Sequence, residues 1–205
     1  MIIQAFLVAF IVSFLGSIPP GTINITVMQM GLLGKLREAY FLVLGATIVE
    51  FFYAMLVVRF QIFLNENVTF THHFTLITSI VLTLLGIYSL LTRSYSKSVK
   101  VKSDSKGRTG FAKGLALGFL NPLAIPFWLA VTAYLQQSGW VSLEGASFWS
   151  YLLGIFAGSV LVLYLAIRLG NKFTRISDNY MLVHVLPGVA FLSLGIYYFY
   201  QWLAQ

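Results

Sequence analysis

Four apolar runs, at about 39–60, 74–92, 148–169 and 182–203, each extend over roughly 20 positions, the length a helix needs to cross hydrocarbon about 30 Å thick. Two further apolar stretches, at about 2–33 and 110–136, are longer than one crossing requires. The first is interrupted near its middle by Pro19-Pro20-Gly21, the second by Asn121-Pro122 followed by Pro126. Proline lacks a backbone donor and clashes with the preceding turn, so a helix kinks or breaks there. The pattern predicts an all-α integral membrane protein of six transmembrane helices, with the first and fourth broken. The opening stretch has no basic leader and no small-residue cleavage site, so it is expected to be retained as the first span.

Composition narrows the class. Of 205 residues, 59% are hydrophobic and 9% are Asp, Glu, Lys or Arg, against roughly 25% charged in a soluble domain. So few charges cannot wet a globule of this size, and disorder needs the opposite balance. The absence of cysteine excludes disulfide scaffolds, thiolate metal sites and cysteine nucleophiles. The net charge of +7 would suggest nucleic acid in a soluble protein, but its placement argues otherwise. Six crossings put 12 of the 13 basic residues on one side and leave Arg59 as the exception. Positively charged loops stay in the cytoplasm. The basic 93–109 segment is therefore expected inside, with both termini outside. If residues 110–136 turned back as a re-entrant hairpin, the basic 168–178 segment would lie opposite that loop, so six crossings fit the charge better.

The two halves resemble each other. Gly16 and Pro20 align with Gly118 and Pro122, while Leu85-Gly86-Ile87-Tyr88 aligns with Leu194-Gly195-Ile196-Tyr197. Leu44-Gly45 aligns with Leu153-Gly154, and Arg59 with Arg168. Three spans per copy is an odd number, so the second copy enters from the opposite face. This predicts an inverted repeat, a transporter device with its site near midplane. The expected units are 1–92, the cytoplasmic loop 93–109, and 110–205.

A helix break inside a membrane exposes backbone groups that lipid cannot satisfy, so they are buried in protein or line a wet cavity. The half-helix beginning near Gly21 would offer free N–H groups and a positive dipole end to a carboxylate. Pro20, Gly21, Thr22 and Asn24 at the first break, with Asn121 and Pro122 at the second, are the candidate substrate-binding residues. Prolines also kink membrane helices with no ligand involved, and the two breaks at equivalent positions favour the functional reading.

Glu50 is the acidic residue in the middle of a span. Burial there penalises the charged form, so it is a candidate for proton coupling or substrate binding. A neutral carboxylic acid hydrogen-bonded to another helix is the plainer alternative. Arg59 lies nine residues on, roughly 13 Å along the helix, too far for an intrahelical pair. Arg59 and Arg168 are candidate gate charges, with snorkelling to the interface as the alternative. His72-His73 reads as an outer-loop pair and His184 as interfacial packing. Gly31, Gly34, Gly110, Gly114 and Gly118 read as small residues allowing close helix contact. Trp128, Trp140, Trp149 and Trp202 read as interfacial belts. No catalytic or nucleotide-binding motif is present, so no enzyme activity, resident metal or cofactor is expected.

Three segments resemble the lysine exporter (LysE/RhtB) family of bacterial amino-acid exporters over nearly the whole chain. Gly16-Ser17-Ile18-Pro19-Pro20-Gly21 is similar to the family's Pro-Gly-Pro break in the first span. Gly45-Ala46-Thr47-Ile48-Val49-Glu50 is similar to its Gly-x-x-x-Gly-Asp pattern, with Glu in place of Asp. Gly118-Phe119-Leu120-Asn121-Pro122 is similar to its Asn-Pro-Lys segment, with Leu123 where many members have Lys. The resemblance implies a secondary transporter in the bacterial cytoplasmic membrane, exporting amino acids or related small metabolites on the proton gradient. Its partners would be a small-molecule substrate and the lipid bilayer, not nucleic acid; a homo-oligomer is left open. A metal-cation exporter of the same architecture, drawing on Thr47, Asn24 and Asn121 around Glu50, and a non-transport membrane scaffold are the competing classes.

Overall fold

The computed structural model describes residues 1–18, 21–66, 68–91, 107–121, 124–170, 181 and 185–204. Pro19, Pro20, Pro122, His184 and most of the basic 93–109 loop lie outside them. The described residues form eight α-helices and no strand: α1 (Ile2–Gly16), α2 (Thr22–Leu32), α3 (Leu36–Glu66), α4 (Val68–Leu91), α5 (Gly107–Phe119), α6 (Ala124–Gln137), α7 (Gly145–Arg168) and α8 (Leu186–Ala204). Two of them, over Leu36–Gln61 and Gly145–Arg168, are long and apolar enough to cross a membrane. The pair α5 and α6, bent by 63°, makes a third if it is one broken span.

The interruptions fall where the prolines put them. A residue before proline is pushed away from helical geometry, and α1 ends at Gly16, ahead of Pro19. The chain re-enters helix at Thr22, with Gly21 extended as the cap. Between α2 and α3 the turn is made at Gly34, whose φ is +71° and beside which a side chain would meet nothing. Gly34 is thus a turn residue rather than a packing contact. His72 and His73 belong to α4, not to a loop, and His72 lies against the Trp202 ring.

Glycines set how closely the helices approach. A Cβ at Gly110 would strike the Glu38 carbonyl, and one at Gly114 the Leu42 carbonyl, while Gly118 meets Val49. Residue numbers rise together along the two helices, so α3 and α5 run parallel. The same holds for α1 and α7, where Gly154 meets the Phe6 carbonyl and Gly158 the Phe10 carbonyl. By contrast α4 and α8 are antiparallel: Gly86 meets Gly188 and Leu192, and Gly195 meets Ser79 and Thr83. These last contacts are reciprocal, since each residue of one set lies 109 positions from its counterpart in the other. Helices α3 and α7 are antiparallel as well, with Tyr40 stacked on Tyr164 and Phe51 edge-on to Phe156.

Near the start of α3, Glu38 is fully buried and its carboxylate is paired with Lys113 of α5. The outer faces are apolar, with Phe52, Leu56, Leu153 and Leu161 among the exposed side chains, a surface that suits lipid rather than water.

Because α5 lies against the α3 backbone, Gly114→Leu is expected to force the two apart and to cost about 1–3 kcal/mol. Ala116→Leu, on the exposed side of the same helix, should stay within about 0.5 kcal/mol. Thermal unfolding of the detergent-solubilised chain compares them, and equal melting points would refute the contact.

Candidate functional site

Two apolar cores stack along α3 and α7. One contains Ala54, Val57 and Val58 of α3 with Tyr151, Leu152 and Ile155 of α7. The other contains Ala39, Leu42 and Val43 of α3 with Val162, Leu163 and Ala166 of α7. Glu50 falls between the two cores on α3, and Ser159 falls between them on α7. The Trp128 indole of α6 donates to Glu50 Oε1 at 3.2 Å, and the Ser159 hydroxyl stands beside the same carboxyl. Glu50 and Ser159 are also counterparts in the sequence repeat, so the antiparallel pair meets near its middle at equivalent positions. Ser13 of α1 completes the layer: its Oγ lies 2.8 Å from Ser159 Oγ and donates to the Ile155 carbonyl at 2.8 Å.

Both breaks reach this level. Gly16, at the end of α1, touches the Phe127 ring next to Trp128. Gly118, near the end of α5, touches Val49, and Tyr53 donates to the Phe119 carbonyl at 3.0 Å. Asn121 follows half a turn later and is half-buried, its N–H bonded to the Gly118 carbonyl at 3.1 Å.

At the first break, Gly21 caps α2 with no side-chain cap hydrogen bond. Gly21 and Thr22 are exposed. Asn24 is buried and its amide donates to the Ser17 carbonyl at 2.6 Å, bridging the break. Thr47 turns its hydroxyl to the Val43 carbonyl of its own helix at 2.8 Å. The structure therefore brings Glu50 and the ends of α1 and α5 that flank the breaks to one level, but directs Asn24 and Thr47 to backbone carbonyls.

The two arginines occupy opposite ends of the α3–α7 pair. The Arg59 guanidinium of α3 lies 4.6 Å from the centre of the Phe148 ring of α7. Arg168 of α7 lies 6.0 Å from Tyr40 of α3 and 5.6 Å from Tyr164. A shallow crevice lined by Gln137, Tyr200, Gln201 and Ala204 opens at the ends of α6 and α8, about two and a half turns beyond Trp128.

Sequence reasoning assigned Trp128 to an interfacial belt, yet it is 1% exposed and bonded to the key carboxyl. Its place inside the second broken helix, not at a span end, was the available signal. Trp140 and Trp149 are exposed, as belt residues would be. Ser13 carried no signal at all in an apolar helix.

A family model described as "LysE type translocator" matches residues 14–201. The chain belongs to this family. The match takes in both breaks, Glu50, Trp128, Ser159, Arg59 and Arg168, and begins one residue after Ser13. Membership makes the chain a membrane transport protein. The chain is also similar to a Bacillus subtilis (strain 168) protein named "Putative amino acid efflux protein YcgF", with 26% identity over 196 residues and 92% of each chain covered. No solved structure matches the chain.

Trp128→Phe keeps an aromatic ring in the core and removes the donor to Glu50. A hydrogen bond contributes about 1 kcal/mol between neutral groups and about 1.5–3 kcal/mol to a charged one. The variant is expected to lose more stability at high pH, where the carboxyl is ionised, than at low pH. Melting points across a pH series test this; a loss independent of pH would remove the Trp128–Glu50 bond from the account of the site.

Proposed function

We propose that this translocator exports amino acids or related small zwitterionic metabolites, with proton entry as the driving force. The observation that carries the reading is the Glu50 carboxyl, held between two apolar cores at the level of both helix breaks. The similarity to a protein named for amino acid efflux supports the substrate class and the direction.

The chemistry follows from the groups present. Ionised Glu50 attracts the substrate ammonium. The uncapped N-terminus of α2 at Gly21 and Thr22, with its positive dipole end, attracts the substrate carboxylate. Asn121, with Pro20 and Pro122 shaping the two breaks, completes the site. A proton arriving from the outside neutralises Glu50 and releases the ammonium. Because a buried charge is costly, substrate and proton compete for the same carboxyl, and that competition is the coupling. Arg59 and Arg168, stacked across the α3–α7 pair at its two ends, are placed to act as alternate gates.

Six crossings in two inverted repeats are part of this reading. The parallel pairs α1–α7 and α3–α5, the antiparallel pairs α3–α7 and α4–α8, and the reciprocal glycine contacts support it. Lys35, Arg37, Lys113 and Arg168 gather toward the end where α2 and α7 finish and α3 begins, with Arg59 at the other end. That asymmetry supports a cytoplasmic 93–109 loop with both termini outside, in the bacterial cytoplasmic membrane.

The test is Glu50→Gln in proteoliposomes, with a panel of radiolabelled amino acids as the probe. A substrate of the wild-type protein should lose its pH-gradient-driven flux in the variant, down to the level of protein-free vesicles. Undiminished flux would remove Glu50 from the mechanism.

A further inference from the structure

The hydroxyl groups beside Glu50 carry information that the exporter reading does not use. A serine hydroxyl has one proton to donate. Ser13 donates its proton to the Ile155 carbonyl, which can only accept. The 2.8 Å contact between Ser13 and Ser159 must then be donated by Ser159. With its proton committed to Ser13, Ser159 can only accept from the Glu50 carboxyl, and the carboxyl can donate only when protonated. That order of donation is the one a protonated Glu50 would meet.

We propose that Ser159 and Ser13 form a hydroxyl relay whose direction is set by the proton on Glu50, so that α1 is held to α7 more firmly when Glu50 is protonated. This rests on Glu50 as the proton-exchanging group. In the neutral state the chain of donation runs from Glu50 to Ser159, to Ser13, to the Ile155 carbonyl. On ionisation it reverses: Ser13 donates to Ser159, and Ser159 donates to the carboxylate. No bond other than these hydrogen bonds changes, and the proton lost is the carboxyl's own. Reversal strands nothing, because the Ile155 carbonyl keeps the helical bond from the backbone N–H four residues on. It does remove one of the two bonds that Ser13 makes to α7.

The consequence reaches the substrate region through α1. Three residues beyond Ser13 this helix ends, and the Ser17 carbonyl is held by Asn24 of α2 across the break. A change in how α1 is seated on α7 is therefore delivered to the start of α2. Ser13 and Ser159 are positioning residues in this scheme; neither touches substrate.

Among the described residues, no other charge is placed against the carboxyl. Helices α1, α2 and α6 contain no Asp, Glu, Lys, Arg or His. On α5, Lys113 is paired with Glu38 three turns from Glu50. On α7, Arg168 is stacked on Tyr40 and Tyr164, and the Tyr151 hydroxyl is engaged with Thr132 at 3.0 Å. On α4, His72 faces Trp202 and His73. The groups acting on the carboxyl are Ser159 and Trp128.

Infrared difference titration of the full chain in lipid nanodiscs tests the relay without needing a substrate. The carboxylic C=O band that E50Q abolishes reports Glu50. Losing the hydroxyl that donates to the ionised form should raise the midpoint of this band by about one pH unit in S159A. In S13A, which leaves the Ser159 contact in place, the rise should be smaller. The double variant should shift no further than S159A, because both serines act through one contact, and S159T should restore the wild-type midpoint. An unshifted S159A, or shifts that add in the double variant, overturns the relay. If S159A does not fold, S13A decides, and an unshifted midpoint there overturns it equally. Lost flux in E50Q together with unshifted serine variants overturns the relay and leaves the exporter reading standing. Wild-type flux in E50Q overturns the exporter reading instead.

Discussion

A carboxyl between two apolar cores has to be met by protein, because neither the cores nor lipid can solvate it. Glu50 is that group, and the groups meeting it come from α6 and α7, helices 78 and 109 residues away in sequence. Around this contact the rest of the site takes its position. Trp128 must enter the core to bring its N–H to the carboxyl, which fixes α6. Ser159 must face α3, which fixes the rotation of α7. Ser13 must reach Ser159, which seats α1. The break that follows α1 and the break that precedes α6 are thereby brought to one level.

Such a layer is useful only if the helices around it are held at close range. The glycines supply this: at Gly110, Gly114, Gly154 and Gly158 a helix lies directly on a neighbour's backbone carbonyl. In a membrane no hydrophobic force presses helices together, so close van der Waals contact between small residues takes that role. The polar layer is thus bordered above and below by tightly packed apolar cores. Arg59 and Arg168 lie at the far ends of those cores.

Much of this was legible in the sequence, for identifiable reasons. Proline breaks a helix by its own covalent geometry, so Pro19-Pro20 and Pro122 announced the interruptions between α1 and α2 and between α5 and α6. Glu50 stood out because a mid-span carboxylate is costly. Other features depend on contacts between distant helices and left no local mark. Ser13 is an ordinary residue until α7 is placed beside it. Trp128 has the composition of a belt residue, and only its rotation into the core reveals the bond to Glu50. Ser159 was visible as the repeat counterpart of Glu50, but two equivalent residues touch only where antiparallel helices cross near their common middle. Gly34 looked like part of a packing stripe, whereas its positive φ makes the turn into α3. The aromatic partners of Arg59 and Arg168 likewise required the antiparallel registration of α3 on α7.

If Glu50 exchanges its proton in the proposed exporter, the first-break segment bearing Thr22 and Asn24 and the second bearing Asn121 open in turn to each face of the membrane. Side-specific thiol labelling of single cysteines at these three positions tests it most directly, since the native chain has no cysteine to interfere. In vesicles of known orientation, alternating access predicts that the positions label, and that the face from which they label changes when a pH gradient is imposed. Three positions unlabelled from both faces in every condition would contradict it.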